Sequence, residues 1–124
     1  MKKSIAFSFV LDELFSIHPT VKPMFGCHAI YQHEKIVLIT RNKEEHKHDN
    51  GVWLATTHEH HASLKHDFPS MRSIQLFGTN DTAWQNIPAD ADDFEENVLK
   101  ACALILKGDK RIGKIPKAKK RKKS

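Results

Sequence analysis

Clustered cations near the C-terminal end are the clearest candidates for chemistry in this sequence. Residues 107–124 carry ten basic side chains against one acidic side chain, a net charge of +9, whereas the other 106 residues carry ten basic and fourteen acidic side chains, a net charge of −4. Clustered Lys and Arg neutralise phosphates and release counterions, which gives salt-dependent, sequence-independent binding. We therefore predict a nucleic-acid-binding segment made of Lys114, Lys117, Lys119, Lys120, Arg121, Lys122 and Lys123.

The same segment also has a plainer interpretation as a solubilising extension with only incidental affinity for polyanions. It contains no aromatic residue, so it offers no platform on which single-stranded bases could stack. Base-specific recognition would have to come from the rest of the chain, which is acidic and shows no recognition-helix pattern. The sequence leaves both interpretations open.

The nine histidines are a second candidate, because imidazole is a common metal ligand. His58 and His61 lie three residues apart on a predicted helix and could share one face to bind Zn, Ni or Cu. Their spacing is not His-Glu-x-x-His, and the sequence specifies no third ligand. We therefore favour solvated histidines and expect neither a metal nor another cofactor, with a metal-responsive domain as the alternative.

Cys27 and His28 place a thiol beside an imidazole, a pair that some enzymes use for nucleophilic catalysis. Neighbouring residues of a strand point to opposite faces, so these two side chains should diverge. Cys27 and Cys102 fit no zinc spacing and are expected to be thiols. Since no acid–base pair or activated nucleophile can be named, we predict that the protein is not an enzyme.

The elements that must position these residues follow from hydrophobic periodicity. Strands are predicted at about 28–32, 36–41, 52–56, 73–77 and 82–87, and helices at about 5–17, at about 57–66 and from Asp92 onward. The order αβββαββα predicts an α+β fold in which a two-layer antiparallel sheet of five strands carries helices on one face. The residues predicted to be buried are Phe15, Ile30, Leu38, Trp53, Leu76, Val98 and Ile105.

Local signals predict how these elements begin, end and connect. Pro19 and Pro23 favour an irregular connection before the first strand, and Asn50-Gly51 favours a hairpin turn. Thr56 and Glu59 have capping-box spacing, and Asp92 is a candidate N-cap of the last helix. Lys107 and Gly108 predict the end of that helix.

The length of 124 residues suits one domain, which we place at 1–112, followed by a disordered basic tail at 113–124. No apolar run is long enough to span a bilayer. The segment 5–17 is amphipathic and does not have the pattern of a secretory signal, so we expect a cytoplasmic protein.

Short motifs resemble two related families. Met24-Phe25-Gly26, with Ile30-Tyr31 and Lys35 after it, resembles the opening of the TfoX N-terminal domain, where a Met-Phe-Gly-Gly turn precedes a hairpin. Leu54, a helix ending in Phe68-Pro69, the strand around Trp84 and a long last helix resemble MmcQ/YjbR-like proteins. The resemblance covers about residues 5–115, and its motif residues are Met24, Phe25, Gly26 and Trp84.

The resemblance implies an α/β architecture and a regulatory role, because TfoX proteins regulate competence gene expression and YjbR-like proteins are described as DNA-binding. Two features depart from the family pattern. Cys27 stands where the second Gly of Met-Phe-Gly-Gly would be, and residues 76–83 contain no basic side chain where relatives are rich in Tyr, His, Asn and Lys. The second departure removes the cations that a DNA contact at that segment would need.

Together these features predict a small regulatory protein that binds nucleic acid weakly and without sequence preference through its tail. The alternative is a protein-interaction or homodimer module whose tail only confers solubility. In that case an exposed sheet edge or sheet face would supply the contact surface.

Overall fold

A six-stranded antiparallel sheet is the centre of the computed structural model, which describes residues 6–24, 26–75 and 83–115. Its strands lie in the order β1-β2-β3-β4-β6-β5, with every neighbouring pair antiparallel. The strands are β1 (Thr20–Met24), β2 (Cys27–Gln32), β3 (Lys35–Arg41), β4 (Gly51–Leu54), β5 (Arg72–Ser73) and β6 (Gln85–Pro88). The α+β class and the antiparallel sheet are confirmed, but the prediction of five strands is wrong.

The additional strand is β1, in the segment that the two prolines predicted to be irregular. Pro23 lies within β1 and pairs with His28 of β2. A proline cannot donate a hydrogen bond to a neighbouring strand, yet β1 is an edge strand and needs a partner on one side only. The β-branched residues Thr20 and Val21 favour extended backbone. The order of elements is therefore αββββαββα instead of αβββαββα.

Three α-helices, α1 (Phe9–Glu13), α2 (His61–Asp67) and α3 (Phe94–Leu106), accompany the sheet. The first helix is much shorter than the predicted 5–17, because the chain changes to a 3₁₀ turn over Phe15–Ile17. This turn leaves Phe15 73% exposed and makes Leu14 the fully buried residue, so the prediction that Phe15 is buried is wrong.

The predicted helix caps also differ from the structure. The residue before α3 is Asp93 and not Asp92, and its side chain makes no capping hydrogen bond. The Thr56 hydroxyl bonds to the carbonyl of Thr57, and a 3₁₀ turn over His58–His60 precedes α2. Gly108 adopts a left-handed conformation just after α3 with φ of 79°, so the predicted end of that helix is confirmed.

Two hydrophobic clusters cover the two faces of the sheet. One cluster joins Ile30, Leu38 and Val52 to residues of all three helices, which therefore pack on one face. The other cluster contains Cys27, Ala29, Ile39 and Trp53, together with Ile74 and Trp84 from the segments that precede β6. Burial of Ile30, Leu38, Trp53, Val98 and Ile105 is confirmed, and Leu76 lies outside the described residues.

The chain returns to the sheet after α3. Ile112 is 2% exposed and belongs to the main core. Gly113 donates to the carbonyl of Ala55 at 2.6 Å, and Lys114 and Ile36 exchange two backbone hydrogen bonds at 2.9 Å. Lys114 thus extends the sheet beside β3, beyond the last β3–β4 pair at Leu38. Gly113 and Lys114 belong to the folded part although the sequence assigned them to the tail, whereas residues 116–124 lie outside the described residues.

The three described stretches contain no helix that combines the length and the apolarity needed to cross a membrane.

We predict that Ile112→Ala lowers the free energy of unfolding by about 2–4 kcal/mol, because it leaves a cavity in the core. Ile115→Ala is the matched control, since Ile115 is 61% exposed, and should cost less than about 0.5 kcal/mol. Urea denaturation followed by circular dichroism measures both values. Equal losses for the two variants would show that the core ends at α3.

Candidate functional site

A cleft of about 490 Å³ opens where β2 begins and β3 ends. The start of β2 contributes Cys27 and His28, and the end of β3 contributes Thr40 and Arg41. The loop that follows β3 forms the rim with Asn42, Lys43, Glu44 and Glu45, and Ala6 and Gly26 complete the lining. The cleft therefore collects polar and charged side chains at one end of the sheet.

Strand register decides which side chains lie together in this region. His28 is directly opposite Thr40 in the β2–β3 pair, so the two side chains lie on the same face of the sheet. Cys27 and Arg41 are each one residue further along and belong to the other face. The cleft thus wraps around the strand ends. Cys27 packs with Ala29 and Tyr31 on one face, and the His28 side chain points to the opposite face. The side chains of Cys27 and His28 therefore diverge, as the sequence predicted.

Met24 and Gly26 of the motif lie where β1 ends and β2 begins, and Met24 pairs directly with Cys27. Gly26 has φ of 76°, a left-handed conformation that side chains disfavour. A Cβ atom at Gly26 would lie 2.8 Å from the Nζ atom of Lys43, so glycine also lets the lysine side chain lie across the turn. Phe25, the central residue of this motif, lies outside the described residues.

Arg41 holds the loop that forms the rim. Its guanidinium donates to the carbonyl of His46 at 2.8 Å, to the carbonyl of Glu45 at 3.0 Å and to Oδ1 of Asn50 at 2.7 Å. The same Asn50 side chain bonds to the backbone N–H and carbonyl of Lys43. This network fixes the loop against the sheet and positions Lys43 beside Gly26.

The charge of Arg41 is unusual, because this residue is only 2% exposed. Among the described residues, no carboxylate lies within 4.0 Å of its guanidinium. The buried carboxylate of Asp49, in the same loop, accepts from the backbone of Gln75 at 2.8 Å and lies 3.3 Å from His48. Buried charges are usually paired, whereas the acceptors that the structure describes around the Arg41 guanidinium are neutral.

Two buried polar atoms that belong to cleft residues have no hydrogen-bond partner in the described part of the chain. They are the hydroxyl oxygen of Thr40, on a residue with 0% exposure, and the Nε atom of Arg41. Burial raises the pKa of the nearby Cys27 thiol, while the Arg41 and Lys43 cations and a hydrogen bond with the Arg41 side chain act in the opposite direction. The thiol itself therefore favours its neutral form, and the positive charge around it is not matched by a thiolate.

Sequence reasoning missed this cleft, since Thr40, Arg41 and Lys43 were not among the candidate residues. The available signal was the position of Arg41 and Lys43 directly after the most apolar strand, where a cation must be either solvated or buried with partners. Periodicity alone does not tell these two outcomes apart.

The start of the basic tail is the second candidate region. Lys114 is half-buried and backbone-paired with the sheet, and its ammonium group has no hydrogen-bond or ion-pair partner among the described residues. Lys35 lies beside Gly113, where a Cβ atom would contact its side chain. The other predicted phosphate-binding residues, Lys117, Lys119, Lys120, Arg121, Lys122 and Lys123, lie outside the described residues.

Arg111, just before the tail, is already neutralised. Its guanidinium bonds to Asp109 at 2.9 Å, to Asp67 at 3.0 Å and to the hydroxyl of Ser63 at 2.6 Å. Hydrogen bonds from Arg111 hold the pKa values of both Asp67 and Asp109 below the usual range of an aspartate. Arg111 therefore connects α2 to the end of α3 and is not available for phosphates.

The remaining candidates are placed as follows. The rings of His58 and His61 lie 4.9 Å apart, and Nε2 of His61 is 3.0 Å from the carbonyl of Ala83. No group of three His, Cys, Asp or Glu side chains within residues 6–24, 26–75 and 83–115 is placed to hold a metal. Trp84 is half-buried and packs against Trp53 at 5.9 Å between ring centroids. Burial raises the pKa of the Cys102 thiol to about 12, which makes that thiol a poor nucleophile.

The ion pairs of Arg111 should make the free energy of unfolding depend on pH in the acid range. Because Asp67 and Asp109 have lowered pKa values in the folded state, their contribution is present above about pH 4 and is lost as the pH falls through the folded values. Arg111→Gln should remove it, with a loss of about 1 kcal/mol or less at pH 7, because the pairs are partly exposed. Urea denaturation from pH 7 to pH 3 should show the two proteins converging at low pH. A difference that persists unchanged at pH 3 would contradict this account.

Comparison of the chain with protein-family models, with curated proteins and with solved structures found no match in any of the three. The resemblance to TfoX and MmcQ/YjbR-like proteins therefore stays a prediction.

Proposed function

We propose that this protein binds nucleic acid through the basic segment 113–124, whose first two residues are anchored on the sheet, and acts as a binding protein, not as an enzyme. The observation that supports this most is the separation of charge. Residues 107–124 carry a net charge of +9, and the remaining 106 residues carry −4. A phosphate backbone is attracted to the first segment and repelled by the second, so contact is directed to the tail.

The described residues at the start of the tail fit this proposal. Arg111 forms ion pairs with two aspartates, whereas the ammonium group of Lys114 has no partner among the described residues. Backbone pairing of Lys114 with Ile36 fixes the point from which the tail leaves the sheet. The cations that follow would therefore meet a phosphate backbone from a constant position on the domain.

The proposed binding is electrostatic and carries no base recognition. If about five tail cations contact phosphates, the logarithm of the binding constant falls with the logarithm of salt concentration at a slope near −4 to −5. We propose a regulatory role in the cytoplasm, in line with the resemblance to TfoX and YjbR-like proteins. Its partner would be any accessible nucleic acid.

A second candidate function is a homodimer module, and one observation favours it. Phe15 is exposed and lines an apolar cleft with Leu11, Pro19 and Val21, beside the edge strand β1. Exposed apolar patches of this kind mark interaction surfaces. The candidate occupant is a second copy of this chain, although Lys22 and Pro23 on β1 disfavour direct edge-to-edge strand pairing.

The tail proposal is tested by fluorescence anisotropy with duplex DNA across a salt series. The test variant is the full chain with six tail cations changed to Gln, at Lys117, Lys119, Lys120, Arg121, Lys122 and Lys123. We expect the wild-type slope near −4 to −5 to fall to about −1, with most of the affinity lost. Charge replacement is preferable to truncation at residue 108, which would remove Ile112 from the core.

A matched control distinguishes the effect of removing tail cations from the effect of lowering the net charge of the protein. Changing six lysines outside residues 107–124 to Gln, at Lys2, Lys3, Lys22, Lys35, Lys47 and Lys100, lowers the net charge of +5 by the same six units. This control should keep a slope close to that of the wild type. Equal losses in the two variants would reject the tail as the binding segment, and an unchanged affinity of the tail variant would assign binding to the body.

The dimer candidate has its own test. Phe15→Ser should convert a concentration-dependent dimer to a monomer in sedimentation equilibrium, because it removes the apolar side chain from the proposed interface. Leu106→Ser is the control, since Leu106 is also exposed, at 42%, but lies on α3. A wild-type protein that is monomeric at all concentrations would exclude this candidate.

A further inference from the structure

The cleft at the ends of β2 and β3 has features that its role in the fold leaves unexplained. Its lining includes the Thr40 hydroxyl and the Arg41 Nε atom, both buried and both without a partner among the described residues. Buried polar atoms in folded proteins are almost always hydrogen-bonded. The Thr40 hydroxyl lies on the same sheet face as His28, so it points to a ligand in the cleft, whereas the Arg41 Nε atom lies on the other face and is not assigned to that ligand.

The two cationic side chains of the cleft are more buried than its two carboxylates, Glu44 and Glu45, and they indicate an anion at the inner side of the cleft. Arg41 is a buried cation without a carboxylate within 4.0 Å in the described residues, and Lys43 adds an ammonium group beside Gly26. A buried charge without a counter-charge is costly, and an anion nearby lowers that cost. His28 faces the same region from the strand opposite Thr40, and its ring can donate a hydrogen bond.

The arrangement of donors favours a phosphate group over a carboxylate. A carboxylate is best bound by the two parallel N–H groups of a guanidinium, but the Arg41 Nη atoms already donate to Glu45, His46 and Asn50. The remaining donors come from separate residues and different directions, namely Lys43, His28 and Thr40. A phosphate monoester presents three terminal oxygens to such donors, and lysine is a common phosphate ligand.

The size of the cleft indicates that the phosphate belongs to an organic molecule. A volume of about 490 Å³ falls within the range of small-molecule sites and exceeds what a lone oxyanion needs. Glu44 and Glu45 on the rim can accept hydrogen bonds from hydroxyl or amino groups. Their negative charges disfavour a second phosphate at that end.

We propose that this cleft binds a phosphate monoester. Lys43 and His28 contact the phosphate, and Thr40 donates its hydroxyl to it. The buried charge of Arg41 attracts the anion without touching it. The ester is either a small metabolite or the terminal phosphate of a nucleic-acid strand. This inference uses no tail residue, so it stands or falls independently of the proposed nucleic-acid binding.

Isothermal titration of the full chain at constant ionic strength tests the site, with deoxythymidine 5′-monophosphate and deoxythymidine as probes. The nucleotide should bind, and the nucleoside, which lacks the phosphate, should bind much more weakly. Lys43→Gln should weaken nucleotide binding about tenfold, the loss expected for one charge-assisted hydrogen bond. Lys47→Gln is the matched control in the same loop, and it should change the affinity less than about twofold, since Lys47 is exposed and does not line the cleft.

The substitution Thr40→Val tests whether the Thr40 hydroxyl contributes to nucleotide affinity without contributing to stability. Removing an unsatisfied buried hydroxyl should leave the urea midpoint unchanged or higher, while nucleotide binding becomes weaker. Binding by Thr40→Val as tight as that of the wild type would contradict the proposed role of Thr40. No nucleotide binding at millimolar concentration, or equal losses for Lys43→Gln and Lys47→Gln, would overturn the site.

A further arm identifies the source of the phosphate. Two single-stranded oligonucleotides of one sequence, with a 5′-phosphate and with a 5′-hydroxyl, interact equally with the tail apart from that group. Tighter binding of the phosphorylated strand, lost in Lys43→Gln, supports a strand end as the ligand. Equal binding of the two strands, together with binding of the free nucleotide, supports a small phosphate ester.

Discussion

The burial of Arg41 at the end of β3 is the constraint on which the candidate site depends. A guanidinium that is 2% exposed must be surrounded by acceptors, and the chain provides them by folding the loop of residues 42–50 back over it. That loop places Lys43 across the glycine of the β1–β2 turn. The acceptors are neutral groups, so the hydrogen bonds of Arg41 are largely satisfied while its charge is not balanced. One burial therefore both shapes the cleft and places a positive charge beside it.

Two regions of the chain carry cations in different physical settings. The cleft is a small, preorganised site in which few donors converge, which suits recognition of a single group. The tail is a run of cations that begins at a fixed point beside β3 and suits non-specific attraction to a long polyanion. The pairing of Arg111 with Asp67 and Asp109 removes one cation from the charge near the tail.

Hydrophobic periodicity predicted much of the fold, because burial of Ile30, Leu38, Trp53, Val98 and Ile105 follows from patterns within single elements. It failed where the outcome depends on a neighbour in space. Pro23 predicts the end of a strand unless that strand lies at the edge of a sheet. The pair Asn50-Gly51 predicts a hairpin turn. Instead, Gly51 starts β4, where a Cβ atom would lie 2.1 Å from the carbonyl oxygen of Ile87. The cleft was missed for the same reason, since the partners of Arg41 are set by the loop conformation and not by spacing.

The most direct test of the claim that the buried charge of Arg41 creates an anion site is a nuclear magnetic resonance titration of the full chain with inorganic phosphate at constant ionic strength. We expect the Nε–Hε signal of Arg41 and the amide signals of Gly26, His28 and Lys43 to shift together along one saturable curve. Amide signals of His33 and Glu34, in the turn at the other ends of β2 and β3, should not follow that curve. Cleft signals that stay fixed, or shifts of equal size throughout the protein, would contradict this claim.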